Sequence, residues 1–137
     1  MLDEALEQHE PGPYQVQAAI SALHAEAQTA QATDWPQIVA LYERLVLMTP
    51  AMVVEVNRAV AVAMARGAQD GLERLLQLED QAGDYYPYHA ARADLLRRTS
   101  QREAAAEAYG RALELCGNSA ERAYLQRRRA EMLRQGD

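Results

Sequence analysis

Histidine, cysteine and clustered carboxylates most often carry catalysis or hold metals, and their spacing in this chain argues against both. His9, His24 and His89 fall in different segments with no ligand spacing between them. Cys116 is the single cysteine, which excludes an internal disulfide or a cysteine-based zinc cage, and no base stands beside it in the sequence. Glycine-rich phosphate loops, nucleophile elbows and paired metal-binding histidines are absent. The carboxylates lie at the spacing of solvated helix faces. The reading is binding without catalysis: no catalytic residue, no cofactor and no metal.

Three other groupings suit recognition. Asn57-Arg58 interrupts the apolar stretch Val53 to Met64. A polar pair there either braces the interior by hydrogen bond or ion pair, or faces a partner. Tyr85, Tyr86 and Tyr88 form the aromatic concentration, either a binding edge rich in hot-spot residues or a staple that ties a loop to the core. Arg122, Arg127, Arg128, Arg129 and Arg134 gather near the end, as a solvated face or a contact surface for an acidic partner. His24, Asn57, Arg58, Asp94 and Arg97 are the candidate lining of a protein-binding groove.

Helices must position these residues, because nothing in the chain reads as a strand. Pro11-Gly12-Pro13, Asp34-Trp35-Pro36, Thr49-Pro50, Gly67, Gly83 to Pro87, Thr99-Ser100 and Gly117-Asn118-Ser119 are the breakers. Asp34 fits an N-cap with proline at the second helical position. Between the breakers, apolar residues recur at helical spacing. They are Val16, Ile20, Leu23 and Ala27; Ile38, Leu41, Tyr42 and Leu45; then Val53 to Arg66, apolar on nearly all sides and expected to be the most buried. Leu72, Leu75, Leu76 and Leu78 follow, then Ala91, Leu95 and Leu96; Ala105, Ala108, Tyr109, Ala112 and Leu113; and Ala123, Tyr124, Arg127 and Leu133. Seven helices are expected, with an eighth at residues 2–9.

A repeat emerges on overlaying these segments. Tyr42, Leu76 and Tyr109 fall 34 and 33 residues apart, each within the second helix of a pair. The run Ala104 to Leu115 is close to the second-helix consensus of a tetratricopeptide repeat (TPR). The expected fold is all-α: a TPR-like right-handed superhelix of about three helix pairs plus a C-terminal capping helix at 119–135, with Ser119 as its N-cap.

The composition is that of an ordinary globular domain: 137 residues, 49% hydrophobic and 25% charged. All 14 basic residues are arginine, and 20 acidic residues bring the net charge to −6. Such a chain repels a phosphate backbone, so DNA binding by this segment alone is not expected. No run of eighteen apolar residues occurs, so no membrane span is expected. The start, Met1-Leu2-Asp3-Glu4, is acidic where a secretory signal is basic. Together these point to the cytoplasm.

Gly12 to Ile20, His24-Ala25, Thr33-Asp34-Trp35, Leu41-Tyr42, Pro50 and Val54 form an ordered set of motifs. Asn57 to Ala63, Gly71-Leu72, Ala91 to Leu96, Ala104-Ala105, Asn118 and Ala120-Glu121-Arg122 continue it. The set resembles the carboxy-terminal extension of bacterial extracytoplasmic-function (ECF) RNA polymerase sigma factors with a TPR-like tail. The resemblance covers about residues 12 to 130. It implies that residues 1–12 end a linker from upstream sigma domains and that 13–137 form the TPR-like helical domain. It also implies a regulatory role in transcription initiation. Partners would be the factor's own promoter-binding domains, core polymerase, a regulator protein or a second copy, with DNA reached only through upstream domains. A stand-alone TPR-like scaffold and a small-molecule sensor are the alternatives.

Overall fold

Asp34 sets the clearest helix start. Its side chain accepts a hydrogen bond from the Gln37 backbone N–H at 3.2 Å, satisfying one of the donors that a helix leaves unpaired at its first turn. In the computed structural model, which describes residues 12–26 and 32–134, that cap opens the second of a series of helices. The elements are α1 (Pro13–Glu26), α2 (Trp35–Met48), α3 (Met52–Arg66), α4 (Ala68–Leu76), α5 (Glu79–Ala82), α6 (Tyr86–Arg98), α7 (Arg102–Leu115) and α8 (Ser119–Leu133). No strand occurs among the described residues, and the expected all-α class is the one adopted. The expected helix at 2–9, the extension of the first long helix through Ala27, and all but the last residue of the 1–12 linker lie outside the described residues.

Packing proceeds mainly between successive helices: α1 on α2, α2 on α3, α3 on α4, α6 on α7 and α7 on α8. Longer steps place α6 against both α3 and α4. Gly67 joins α3 to α4 as a single-residue turn at φ 112, a backbone region that a side chain disfavours.

Helix α3 explains its own composition. Val54, Ala61 and Val62 belong to one apolar cluster with Val16, Ile20, Ile38, Tyr42 and Leu45 of α1 and α2. Val56, Ala59 and Ala63 belong to a second, with Leu72, Leu75, Tyr88, Leu96, Tyr109 and Leu125. At 3.6 residues per turn these triads occupy roughly opposite faces, so α3 is the wall between two cores. Its near-continuous apolar sequence is the result. The inner faces expected for α2 (Ile38, Leu41, Tyr42, Leu45) and α7 (Ala105, Ala108, Tyr109, Ala112) are buried as read, with Leu113 of the α7 set only half-buried.

Four details differ from the sequence reading. Leu76, expected to match Tyr42 and Tyr109, is 39% exposed, and Leu75 is the buried residue. The turn of α4 directs the preceding side chain inward. The fourth expected helix, read as one segment carrying Leu72 to Leu78, is divided: α4 ends at Leu76 and a short helix, α5, follows the Leu78 turn. On α8 the buried residues are Leu125 and Met132, with Tyr124 half-buried; Ala123, Arg127 and Leu133 face out. Finally, Asn118, not Ser119, caps α8. Its side chain accepts from the Glu121 N–H at 3.0 Å, and its backbone is extended as an N-cap requires. Arg122 adds a second tie, donating to the Leu113 and Cys116 carbonyls at 2.6 and 3.3 Å and satisfying the end of α7. Asn118→Ala should therefore cost about 1 kcal/mol in a thermal or urea melt, whereas Ser119→Ala should leave stability within about 0.5 kcal/mol. The reverse order would reassign the cap.

Candidate functional site

A single carboxylate oxygen ties the last three long helices. Asp94 on α6 accepts at Oδ1 from the Tyr109 hydroxyl of α7 at 2.5 Å and from the Tyr124 hydroxyl of α8 at 3.0 Å. Arg97, one turn further along α6, donates from Nε to the Tyr109 oxygen at 3.0 Å and places a terminal nitrogen 3.9 Å from Asp94. Tyr109 is fully buried, so its hydroxyl needs these partners. Burial first, and the hydrogen bond to Asp94 second, push its pKa above the ordinary 10.0. Arg128 extends the set, lying 5.5 Å over the Tyr124 ring and pairing with Glu131 at 3.1 Å.

Arg58 has a separate setting. It reaches from α3 to Glu43 of α2 at 3.3 Å and to Glu55 of its own helix at 3.7 Å, which is the internal brace rather than a free cation. Its neighbour Asn57 points elsewhere, into solvent. Asn57 shares helical spacing with Val53 and Met64, which are 50% and 38% exposed. Together they form a largely apolar outward strip on α3 with one amide in its middle. His24 is exposed and sets its ring edge-on to Trp35, with centroids 5.3 Å apart, helping to hold α1 on α2.

Of the five candidate groove residues, then, bonds join only Asp94 with Arg97 among the described residues. Arg98, unnamed by the sequence reading, is the exposed arginine that reaches the α3 strip, 3.9 Å from the Met64 sulfur. Its signal was faint: one step along the helix from Arg97, and four residues after Asp94 instead of three. The tyrosine cluster acts as a staple. Tyr88 is buried, Tyr85 and Tyr86 pack against the core, and His89 Nε2 lies 2.7 Å from the Gly83 carbonyl. Burial, followed by the contact with Cys116, raises the pKa of Tyr86. Among the described residues no group of three histidine, cysteine or carboxylate side chains could hold a metal ion. None of the described helices is long and apolar enough to cross a membrane.

These features define an all-α domain in which ionised side chains brace helix to helix while the α3 strip stays open. No family model matches the chain. It is similar to an uncharacterized protein of Rhizobium meliloti (strain 1021), 41% identical over 125 residues, which is 91% of this chain and 30% of that protein. The chain thus spans less than a third of that relative's length.

Proposed function

We propose that the chain is a regulatory protein-interaction domain of an ECF sigma factor, built as a TPR-like right-handed superhelix. It modulates transcription initiation through contacts with the factor's own promoter-binding domains, core polymerase or a regulator protein. The observation that carries a binding role is the outward strip of α3. Val53 and Met64 are exposed around Asn57 while the rest of the helix is built into two cores. Exposed apolar residues grouped on one face fit a partner surface better than a solvated one. The transcriptional setting rests on the ordered motifs that resemble sigma-factor tails. It agrees with a relative most of whose length lies outside the match, as expected where such a domain is one part of a larger factor.

Tethered to the rest of a factor, the strip would meet its target at high effective concentration, so a weak contact suffices. The test is a transcription assay with core polymerase, comparing the full-length factor with one lacking this domain. Higher output from the truncated form makes the domain an internal inhibitor; lower output makes it a required brace. Asn57→Ala in the full-length factor should shift output in the same direction as truncation and leave the melting curve unchanged. Equal output from all three proteins would remove the transcriptional role.

A further inference from the structure

The arginine-rich end of the molecule has a shape that the interaction role above does not use. Where the end of α6, the start of α7 and the end of α8 meet, an open cleft of about 480 Å³ is lined by Arg97, Arg102, Arg128, Glu131, Met132 and Arg134. Four guanidinium groups face one carboxylate there. Asp94 lies near Arg97, and Glu131 offsets Arg128. Among the described residues, Arg102 and Arg134 have no carboxylate partner. Arg102 donates instead to the main-chain oxygen of Glu131 at 2.9 Å. The Nε groups of Arg102 and Arg128 are buried donors without a hydrogen-bond acceptor, which leaves their terminal nitrogens to meet a partner.

Three of the four arginines are already held in place: Arg97 by Tyr109, Arg102 by the α8 backbone, and Arg128 by Glu131 and the Tyr124 ring. Side chains fixed in advance lose little freedom on binding, and a guanidinium fork matches a carboxylate in two-point geometry. We propose that this cleft docks an acidic polypeptide segment of a partner protein. Its side-chain carboxylates pair with Arg102 and Arg134 while its backbone lies over Met132. The net charge of −6 disfavours an extended phosphate backbone. A compact polyanion filling the cleft would press against Glu131, whereas carboxylates spaced along a peptide avoid it. The proposal is independent of the transcriptional reading.

A fluorescein-labelled peptide of alternating glutamate and alanine tests it by anisotropy, with the glutamine–alanine peptide as its neutral counterpart. The glutamate peptide should bind, weaken with added salt, and lose at least about tenfold in affinity to the double variant Arg102→Gln, Arg134→Gln. A control of equal charge change, Arg44→Gln with Arg66→Gln at exposed positions on α2 and α3, should bind like the parent. Arg134→Glu alone, at an exposed position with no side-chain partner among the described residues, should weaken binding with an unchanged melting curve, so a fold defect in the double variant does not decide the matter. Equal losses in both double variants would reduce the effect to diffuse charge and overturn the proposal. So would equal binding of the glutamine peptide, or displacement of the glutamate peptide by an oligonucleotide or inorganic phosphate at lower concentration than by the unlabelled peptide itself.

Discussion

Gly71→Ala should destabilise the domain by about 3 kcal/mol, against the sign that helix propensity alone predicts. In an exposed helix, replacing glycine with alanine gains up to about 1 kcal/mol. Here the added methyl would sit 2.8 Å from both the Ala59 carbonyl oxygen and the Ala63 Cα, and in collision with the Ala63 Cβ. None of these atoms can rotate aside, so α3 and α4 must separate, and the packing of Ala59, Ala63 and Leu72 separates with them. The midpoint should fall by roughly 10 °C for a domain of this size. Gly110→Ala is the matched control. Its new methyl meets the Arg129 guanidinium at 3.5 Å or more, which is ordinary contact, so it should be neutral or stabilise by up to about 1 kcal/mol. A melting point that rises for Gly71→Ala would mean that the two helices do not approach this closely.

Tyr109→Ala should be more damaging still, at about 4 kcal/mol. The ring is wholly buried at the junction of α6, α7 and α8, and its loss leaves a cavity in the larger core. Tyr109→Phe separates the ring from the hydroxyl. It keeps the packing but removes a donor to Asp94 and an acceptor for Arg97, costing about 1–2 kcal/mol. The two variants also differ from the parent in alkali. Because the folded-state pKa of Tyr109 is raised above its unfolded value, its contribution is fully present below about pH 10. That contribution is lost as the pH climbs toward the folded value, since the unfolded chain releases the phenolic proton first. Tyr42, Tyr86 and Tyr88 are shifted in the same direction, so the parent should lose stability steeply above pH 10 and Tyr109→Phe somewhat less steeply. Urea midpoints across that range would read the difference, and parallel slopes would discount the buried hydroxyl.

The residues that announced themselves in the sequence were those whose signal is local. Asp34 before Trp35-Pro36 marked a helix start because an N-cap is satisfied within four residues. The inner faces of α2 and α7 followed from 3.6-residue spacing alone. One-residue choices did not follow. Leu75 and Leu76 are chemically identical, and only the angle at which α4 meets its neighbours selects the first. Asn118 and Ser119 are both good caps, and the last turn of α7 decides where α8 begins. The candidate site was legible in part. Arg58 was read as either brace or groove residue, and its two carboxylate partners fifteen and three residues away make it a brace. Asp94 and Arg97 were read only as groove residues; their pairing, and the ties to Tyr109 and Tyr124, depend on helix packing that no single segment encodes. Gly71 stood out in a motif; its reason, a backbone crossing, is purely tertiary.

Because α3 contributes to both cores, the hairpin of α1 and α2 cannot peel away without exposing one face of a helix that the second core also uses. Its departure would hydrate Val54, Ala61 and Val62 on a helix whose other face is still needed by Leu75 and Tyr88. Slow amide exchange in the two clusters should therefore be coupled through α3, which hydrogen-exchange measurements would check. A protein gripping the outer strip of α3 would be felt as added protection on both sides of it, far from any residue it touches.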